Sequence, residues 1–254
     1  MYETAPNRSV IPFSDLARAA YCPRQLYYAR REDDRAVPPD ARARIDLAYR
    51  YPALVDAPDA TLRRLPIRRS PAAYRRNLDR LRGRDDYDWL VDPARERAFV
   101  SGKDCHGTVH KVLGAGGDAA DAPGEDAAAD APGEDAAADA PGDDEPPLPT
   151  VVSPGEPPEN GVWGSQAVRA VAVAKAVAWE REREVPRALV EYPSVGAARE
   201  VRLTTRKKAA YRRALRAARA IDGPPSRVDD DRCSACDYRE ECGVGRRSFR
   251  SLLG

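Results

Sequence analysis

Apolar residues recur at helical spacing through the first hundred residues, and from Ala98 the pattern shifts to short strand-like runs. Ser14-Asp15-Leu16-Ala17-Arg18-Ala19-Ala20-Tyr21 reads as a helix with Ser14 as its N-cap. Pro23 belongs in the first turn of a second helical piece, Arg24 to Arg31. Asp40 to Tyr51, Asp59 to Leu65 and Pro71 to Arg82 are further helices, each opened by Asp or Pro. Cys105 to Leu113 carries Val109 and Val112 and stops at Gly114, which predicts one strand. Thr150-Val151-Val152 predicts a short strand ended by Ser153-Pro154-Gly155, and Gln166 to Glu184 a long helix with an Ala/Val body. Ala188 to Tyr192 and Glu200 to Leu203 are strands separated by Gly196, and Thr204 or Thr205 caps a basic helix running to Ile221. This order predicts an α/β core with a helical N-terminal part over 1–97.

Composition changes this picture in one segment. Of the 254 residues, Gly114 to Pro147 carry eleven acidic residues and no basic one, on a nine-residue repeat seen at Ala122 to Asp130 and again at Ala131 to Asp139. With only Ala to bury, 114–147 is expected to be a disordered insertion between the two parts of the core, 98–113 and 150–221. Outside it, 42 basic residues face 30 acidic ones, so the formal +1 of the whole chain conceals a folded body of about +12. Such a body suits a polyanion, and 37 of its cations are Arg, the residue fitted to bidentate phosphate contacts. No run of about eighteen apolar residues predicts a membrane span. The N-terminus lacks a basic start followed by an apolar stretch, so a cytoplasmic location is expected, where structural disulfides are rare.

The cysteines therefore ask for another role. Cys233-Ser234-Ala235-Cys236, then Cys242, place three thiols within ten residues at 232–243, and Cys22 beside Pro23 is the candidate fourth. On spacing alone a metal or cluster site, a zinc knuckle and unrelated buried cysteines all stand; Cys105 reads as a small core residue. Ser14-Asp15-Leu16, Tyr21-Cys22-Pro23-Arg24-Gln25-Leu26-Tyr27-Tyr28 and the terminal Cys233, Cys236 and Cys242 together resemble the CRISPR-associated RecB-type exonuclease family. The resemblance implies one RecB-like PD-(D/E)xK nuclease domain over 1–254, its α/β core a mixed sheet flanked by helices. It also implies a [4Fe–4S] cluster on Cys22, Cys233, Cys236 and Cys242 that joins the N- and C-terminal regions. It further implies DNA as partner, with trimming of DNA ends for spacer acquisition in antiviral defence and association with the CRISPR integrase.

The nuclease motifs of that family depart from pattern here. Gly107-Thr108-Val109-His110 stands where Gly-x-x-Asp is expected, and Ser153 and Gly155 stand where the acid and Lys of Asp/Glu-x-Lys are expected. Gln166 opens the helix as in the family's Gln-x-x-x-Tyr, but Ala170 replaces Tyr. No Lys occurs between Lys111 and Lys175, so no shift of register restores one; reading Glu191-Tyr192-Pro193 as the second motif puts Pro at the Lys position. The remaining candidates are His110, Glu156 and Gln166, with Asp104 as a spare carboxylate, and Mg²⁺ or Mn²⁺ enters only if such a site is active.

Seven cations on Thr205 to Arg219 and a patch after the cysteines predict a phosphate track of Arg206, Lys207, Arg213, Arg246, Arg247 and Arg250, with Tyr27, Tyr28 and Tyr211 as candidate base-stacking residues. Three functions follow as expectations. The first is a DNA-end-binding protein of this family with impaired or lost nuclease activity. The alternatives are an active metal-dependent single-strand exonuclease and a zinc-stapled interaction protein.

Overall fold

The computed structural model describes residues 9–32, 36–114, 145–228 and 231–243. Strand β1 (Ile11–Pro12) runs directly into helix α1 (Phe13–Tyr21), so Pro12 takes the N-cap position, where no side chain caps, and Ser14 lies inside the first turn. Helix α2 (Pro23–Ala29) opens on a proline, as expected. The helix expected over 40–51 is instead split into α3 (Pro39–Asp46), a 3₁₀ turn at Leu47–Tyr49 and α4 (Tyr51–Val55). Pro52 has no N–H to continue a helix, and fits only the first turn of a new one. α5 (Asp59–Leu62) stops short of Leu65, whereas α6 (Pro71–Arg82) matches its expected bounds, with the Ser70 hydroxyl accepting from the Ala73 N–H. α7 (Tyr87–Val91), β2 (Arg95–Glu96) and β3 (Phe99–Ser101) were not expected, being too short to show a period.

The strand expected over 105–113 is two strands in two sheets, β4 (Cys105–Thr108) and β5 (Lys111–Leu113). Gly107, at φ +142°, turns the chain against the Phe13 ring, where a Cβ would lie 3.0 Å from Cδ2. The chain continues through β6 (Leu148–Val152), α8 (Gly164–Glu180), β7 (Arg187–Tyr192), β8 (Ala197–Arg202), α9 (Thr205–Arg219) and α10 (Arg239–Cys242). α8 ends at Glu180 rather than Glu184, because Glu182 takes a positive φ of 50°. Thr204 caps α9 by accepting from the Lys207 N–H.

The larger sheet has the order β2-β5-β6-β7-β8; only β6 and β7 are parallel, joined by the crossover helix α8. The smaller sheet, β1-β4-β3, is mixed as well. Alternation along the strands gives the large sheet two apolar faces. Val112, Val151, Ala188 and Val190 pack with α1, α8 and α9, while Leu113, Leu148, Val152 and Leu189 pack with α4, α6 and α7. The architecture is therefore mixed α/β, and the N-terminal helices are integral to it. Gly102 marks how closely α8 approaches, since a Cβ there would come within 2.7 Å of the Ala176 Cα. Arg30 fastens α2 between two elements, donating to Asp15 Oδ2 at 2.9 Å and to the Ala218 carbonyl at 2.8 Å. Among the described residues, no helix is long and apolar enough to cross a membrane. The expected insertion lies outside the described residues, apart from Gly114 and the stretch from Glu145 to Pro147.

Candidate functional site

One end of the large sheet gathers the residues expected to form the nuclease site. β5 is antiparallel to β6, and β6 is parallel to β7, so His110, Ser153 and Tyr192 emerge at the same end. The His110 Nδ1 accepts the Val152 N–H at 3.2 Å, which puts the proton of the neutral ring on Nε2. Gln166, at the start of α8, donates from Nε2 to Ser153 Oγ at 2.7 Å, and its Oε1 accepts from the Tyr192 hydroxyl. The hydroxyl bonded to Gln166 thus comes from a strand tyrosine, and Ala170 is fully buried in the core. Burial, opposed by Arg199, pushes the Tyr192 hydroxyl up to about 12, so it stays a donor.

The charge at this end is reversed relative to a metal site. Arg169 follows Gln166 by three residues, on the same helical face. Its Nε is buried without a hydrogen-bond partner. Burial and the Arg18 charge lower its guanidinium to about 10. Burial, then Arg169, Arg97 and Lys111, hold His110 down to about 3, so the ring is neutral at ordinary pH, and every charge that perturbs it is positive.

The carboxylates that sequence reasoning offered are engaged elsewhere. Glu156 pairs with Arg69 at 2.7 Å and Arg68 at 3.6 Å, and Arg69 lowers its pKa. Asp104 pairs with Arg219 at 2.9 Å. Glu191 is fully buried: its Oε1 accepts from Thr150 at 2.6 Å, and its Oε2 accepts from Lys111 Nζ at 3.2 Å. Lys111 Nζ also donates to the carbonyls of Ala48 at 2.7 Å and Leu90 at 2.8 Å. All three ammonium protons are thus committed, leaving none to orient a water. Sequence reasoning missed this pair; its only signal was a lysine inside an apolar strand.

The chain ends meet at a second site. Cys22, Cys233, Cys236 and Cys242 all line one small cavity of about 20 Å³, with Cys105 apart in the core and its Sγ donating to the Ala172 carbonyl at 3.5 Å. Tyr21 Oη donates to the Arg232 carbonyl at 2.8 Å, Arg232 Nη1 returns a bond to the Tyr21 carbonyl at 2.6 Å, and Arg24 Nη1 reaches the Pro225 carbonyl at 2.6 Å. Burial pushes the Cys236 thiol up; the Tyr238 backbone opposes this, and Cys22 and Cys233 add to it. Among the described residues, no group of three or more His, Cys, Asp or Glu is arranged to hold a metal ion. The wall nevertheless carries an orphan: Arg24 Nε is buried with no acceptor. Four thiolates around a metal centre would supply both negative charge and sulfur acceptors there, so as a donor set these residues fit such a group.

On α9, Tyr211, Ala214, Leu215 and Ala218 are buried, while Arg206 and Arg213 are exposed and Lys207 is half-buried. Ala209 and Ile221 are half-buried. Arg246, Arg247 and Arg250 lie outside the described residues. Tyr211 cannot stack on a base: it is 2% exposed and its hydroxyl donates to Cys105 Sγ at 3.5 Å. Tyr28 stacks on Tyr238 with ring centroids 5.8 Å apart, and Tyr27 meets Tyr28 edge-on at 5.3 Å, so both pack within the protein. No protein-family model matches the chain, and a search of curated proteins finds no significant match.

Proposed function

We propose that this chain is a DNA-end-binding protein of the CRISPR-associated RecB-type kind in which the nuclease chemistry has been lost. The observation that carries the reading is the charge reversal beside β5 and β6. A catalytic Mg²⁺ or Mn²⁺ needs carboxylates, and the side chains gathered there are His110, Ser153, Gln166 and Arg169, whose Nε is buried without a hydrogen-bond partner. These residues do not fit a divalent cation. They suit an anionic strand, since the Arg169 guanidinium, the His110 Nε2–H and the Ser153 hydroxyl are all donors. The exposed cations of α9 extend the positive surface.

Cys22, Cys233, Cys236 and Cys242 are proposed to hold a [4Fe–4S] cluster, with Arg24 as the neighbouring counter-charge. When bound, the cluster supplies a covalent cross-link between α1–α2 and the C-terminal segment, adding to the hydrogen bonds already there. Association with the CRISPR integrase and a cytoplasmic location belong to the same reading. The test is a pair of assays on anaerobically purified protein: binding of single-stranded and overhang DNA ends, and cleavage with Mg²⁺ or Mn²⁺. Salt-sensitive binding with little cleavage is expected. Robust digestion abolished by His110→Ala would restore the exonuclease reading, and absence of binding would leave an interaction protein.

A further inference from the structure

A cavity of about 370 Å³ opens beside the edge strand β8, and its polar lining is Arg69, Asn77, Arg80, Arg84 and Arg199 with no carboxylate among them. Pro157, from the loop after β6, and Val195 to Ala198, where the chain turns from β7 into β8, complete it. It therefore opens at the sheet end that carries Ser153 and Tyr192, and the ends of parallel strands are where open α/β sheets receive ligands.

The four guanidinium groups are not equivalent. Arg69 is paired with Glu156 at 2.7 Å, and Arg84 is held by both oxygens of Asp86, at 2.7 and 2.8 Å. Among the described residues Arg80 has no carboxylate partner; Asn77 Oδ1 accepts from its Nη1 at 3.2 Å, and Asn77 itself is fixed by donating to the Val195 carbonyl at 2.7 Å. Arg199 is exposed on β8 with neither a hydrogen bond nor an ion pair among the described residues. Two positive charges are thus left over in a concave site whose volume sits at the low end of ligand pockets, near the size of one nucleotide. Arg199 also lies close enough to act on the Tyr192 hydroxyl, which is bonded to Gln166 and through it to Ser153.

We infer that this arginine cavity is a phosphate-binding site that seats the sugar-phosphate backbone of a nucleic-acid strand, with Arg80 and Arg199 as the contacting residues. A planar, always-charged fork matches phosphate oxygens bidentately, and Asn77 holds one such fork in place before the ligand arrives. The small side chains at Gly196, Ala197 and Ala198 leave the strand edge open to close approach. The cavity lies on elements other than α9, so it is a contact site additional to the basic helix. Its assignment to nucleic acid rests on the function proposed above; its assignment to phosphate does not.

The experiment compares the wild-type protein with the Arg80→Gln/Arg199→Gln variant, whose two sites are on the surface and should leave the thermal midpoint unchanged. Binding of a labelled single-stranded oligonucleotide is followed by anisotropy across a salt series. Loss of two phosphate contacts should weaken binding at least tenfold at low salt and make the slope of log K against log salt shallower by roughly one to two. In parallel, phenylglyoxal labelling read by mass spectrometry should show Arg80 and Arg199 protected by the oligonucleotide and by inorganic pyrophosphate. An unchanged slope and affinity with wild-type-like DNA binding would overturn the inference while sparing the proposed function. Protection by pyrophosphate without any DNA binding would keep the phosphate site and overturn its nucleic-acid assignment. Protection by neither would overturn both.

Discussion

Replacing Lys111 by Met removes a charge that the fold has buried completely, and its cost follows from the bonds the ammonium makes. Lys111 is 1% exposed and Glu191 0%. Nζ donates to Glu191 Oε2, the Ala48 carbonyl and the Leu90 carbonyl, so it ties β5 to β7, to the 3₁₀ turn before α4 and to α7. Met fills nearly the same volume and keeps the apolar stem in place. It leaves the Glu191 carboxylate in the core with the Thr150 hydroxyl still donating to it but no counter-charge, and strips two carbonyls of the lysine donor. Breaking a buried pair from one side costs about 3–5 kcal/mol, since the abandoned charge keeps its desolvation penalty. Lys111→Met should therefore lower the denaturation midpoint strongly at an unchanged m-value. Glu191→Leu should do the same. Lys111→Met/Glu191→Leu removes both charges, so its loss should fall short of the sum of the singles by about 1–3 kcal/mol, the range of coupling for contacting residues. Urea or guanidinium denaturation of the four proteins measures this cycle. Single variants within about 1 kcal/mol of wild type, or strictly additive losses, would refute the structural role argued for Lys111. A substitution that abolished DNA cleavage while sparing stability would point instead to catalysis.

Three further outcomes are expected. Anaerobically purified protein should be brown and hold about four irons, and Cys236→Ser should lose the colour; one zinc per chain in colourless protein would replace the cluster with a zinc centre. Charge removal at Arg206 and Arg213 should weaken DNA binding uniformly across sequences and flatten the salt slope by roughly one unit per lost contact, and affinity indifferent to ionic strength would exclude α9 as a track. The folded protein protonates His110 only near pH 3, whereas the unfolded chain does so near 6.5. The unfolded state therefore takes up the proton first, and stability falls as pH drops through that window, by at most about 1.4 kcal/mol per unit. His110→Asn, which keeps an acceptor for the Val152 N–H, should flatten this acid-side loss, and an identical pH profile would show that the ring titrates normally.

The helices and strands of this chain were legible where a period or a stop signal was long enough. Ser70 with Pro71 marked α6, Thr204 marked α9, and the apolar runs marked β6 and β7, so a mixed α/β order followed from local chemistry. The cysteine spacing likewise singled out the four residues that line one cavity. Elements of two to five residues escaped, because β2, β3 and α7 are shorter than the periods that would announce them. The division of 105–113 between two sheets escaped as well, because it depends on Phe13, ninety-odd residues earlier, lying against Gly107. Glu156 and Asp104 were legible as spare carboxylates, but not the arginines that hold them. Burial of Lys111 on Glu191, the tying of Glu156 to Arg68 and Arg69, and the buried Arg169 Nε without a hydrogen-bond partner are properties of packing. Whether a charge is neutralised is set by what stands within about 4 Å of it, and in this fold those neighbours come from residues tens of positions away in the chain.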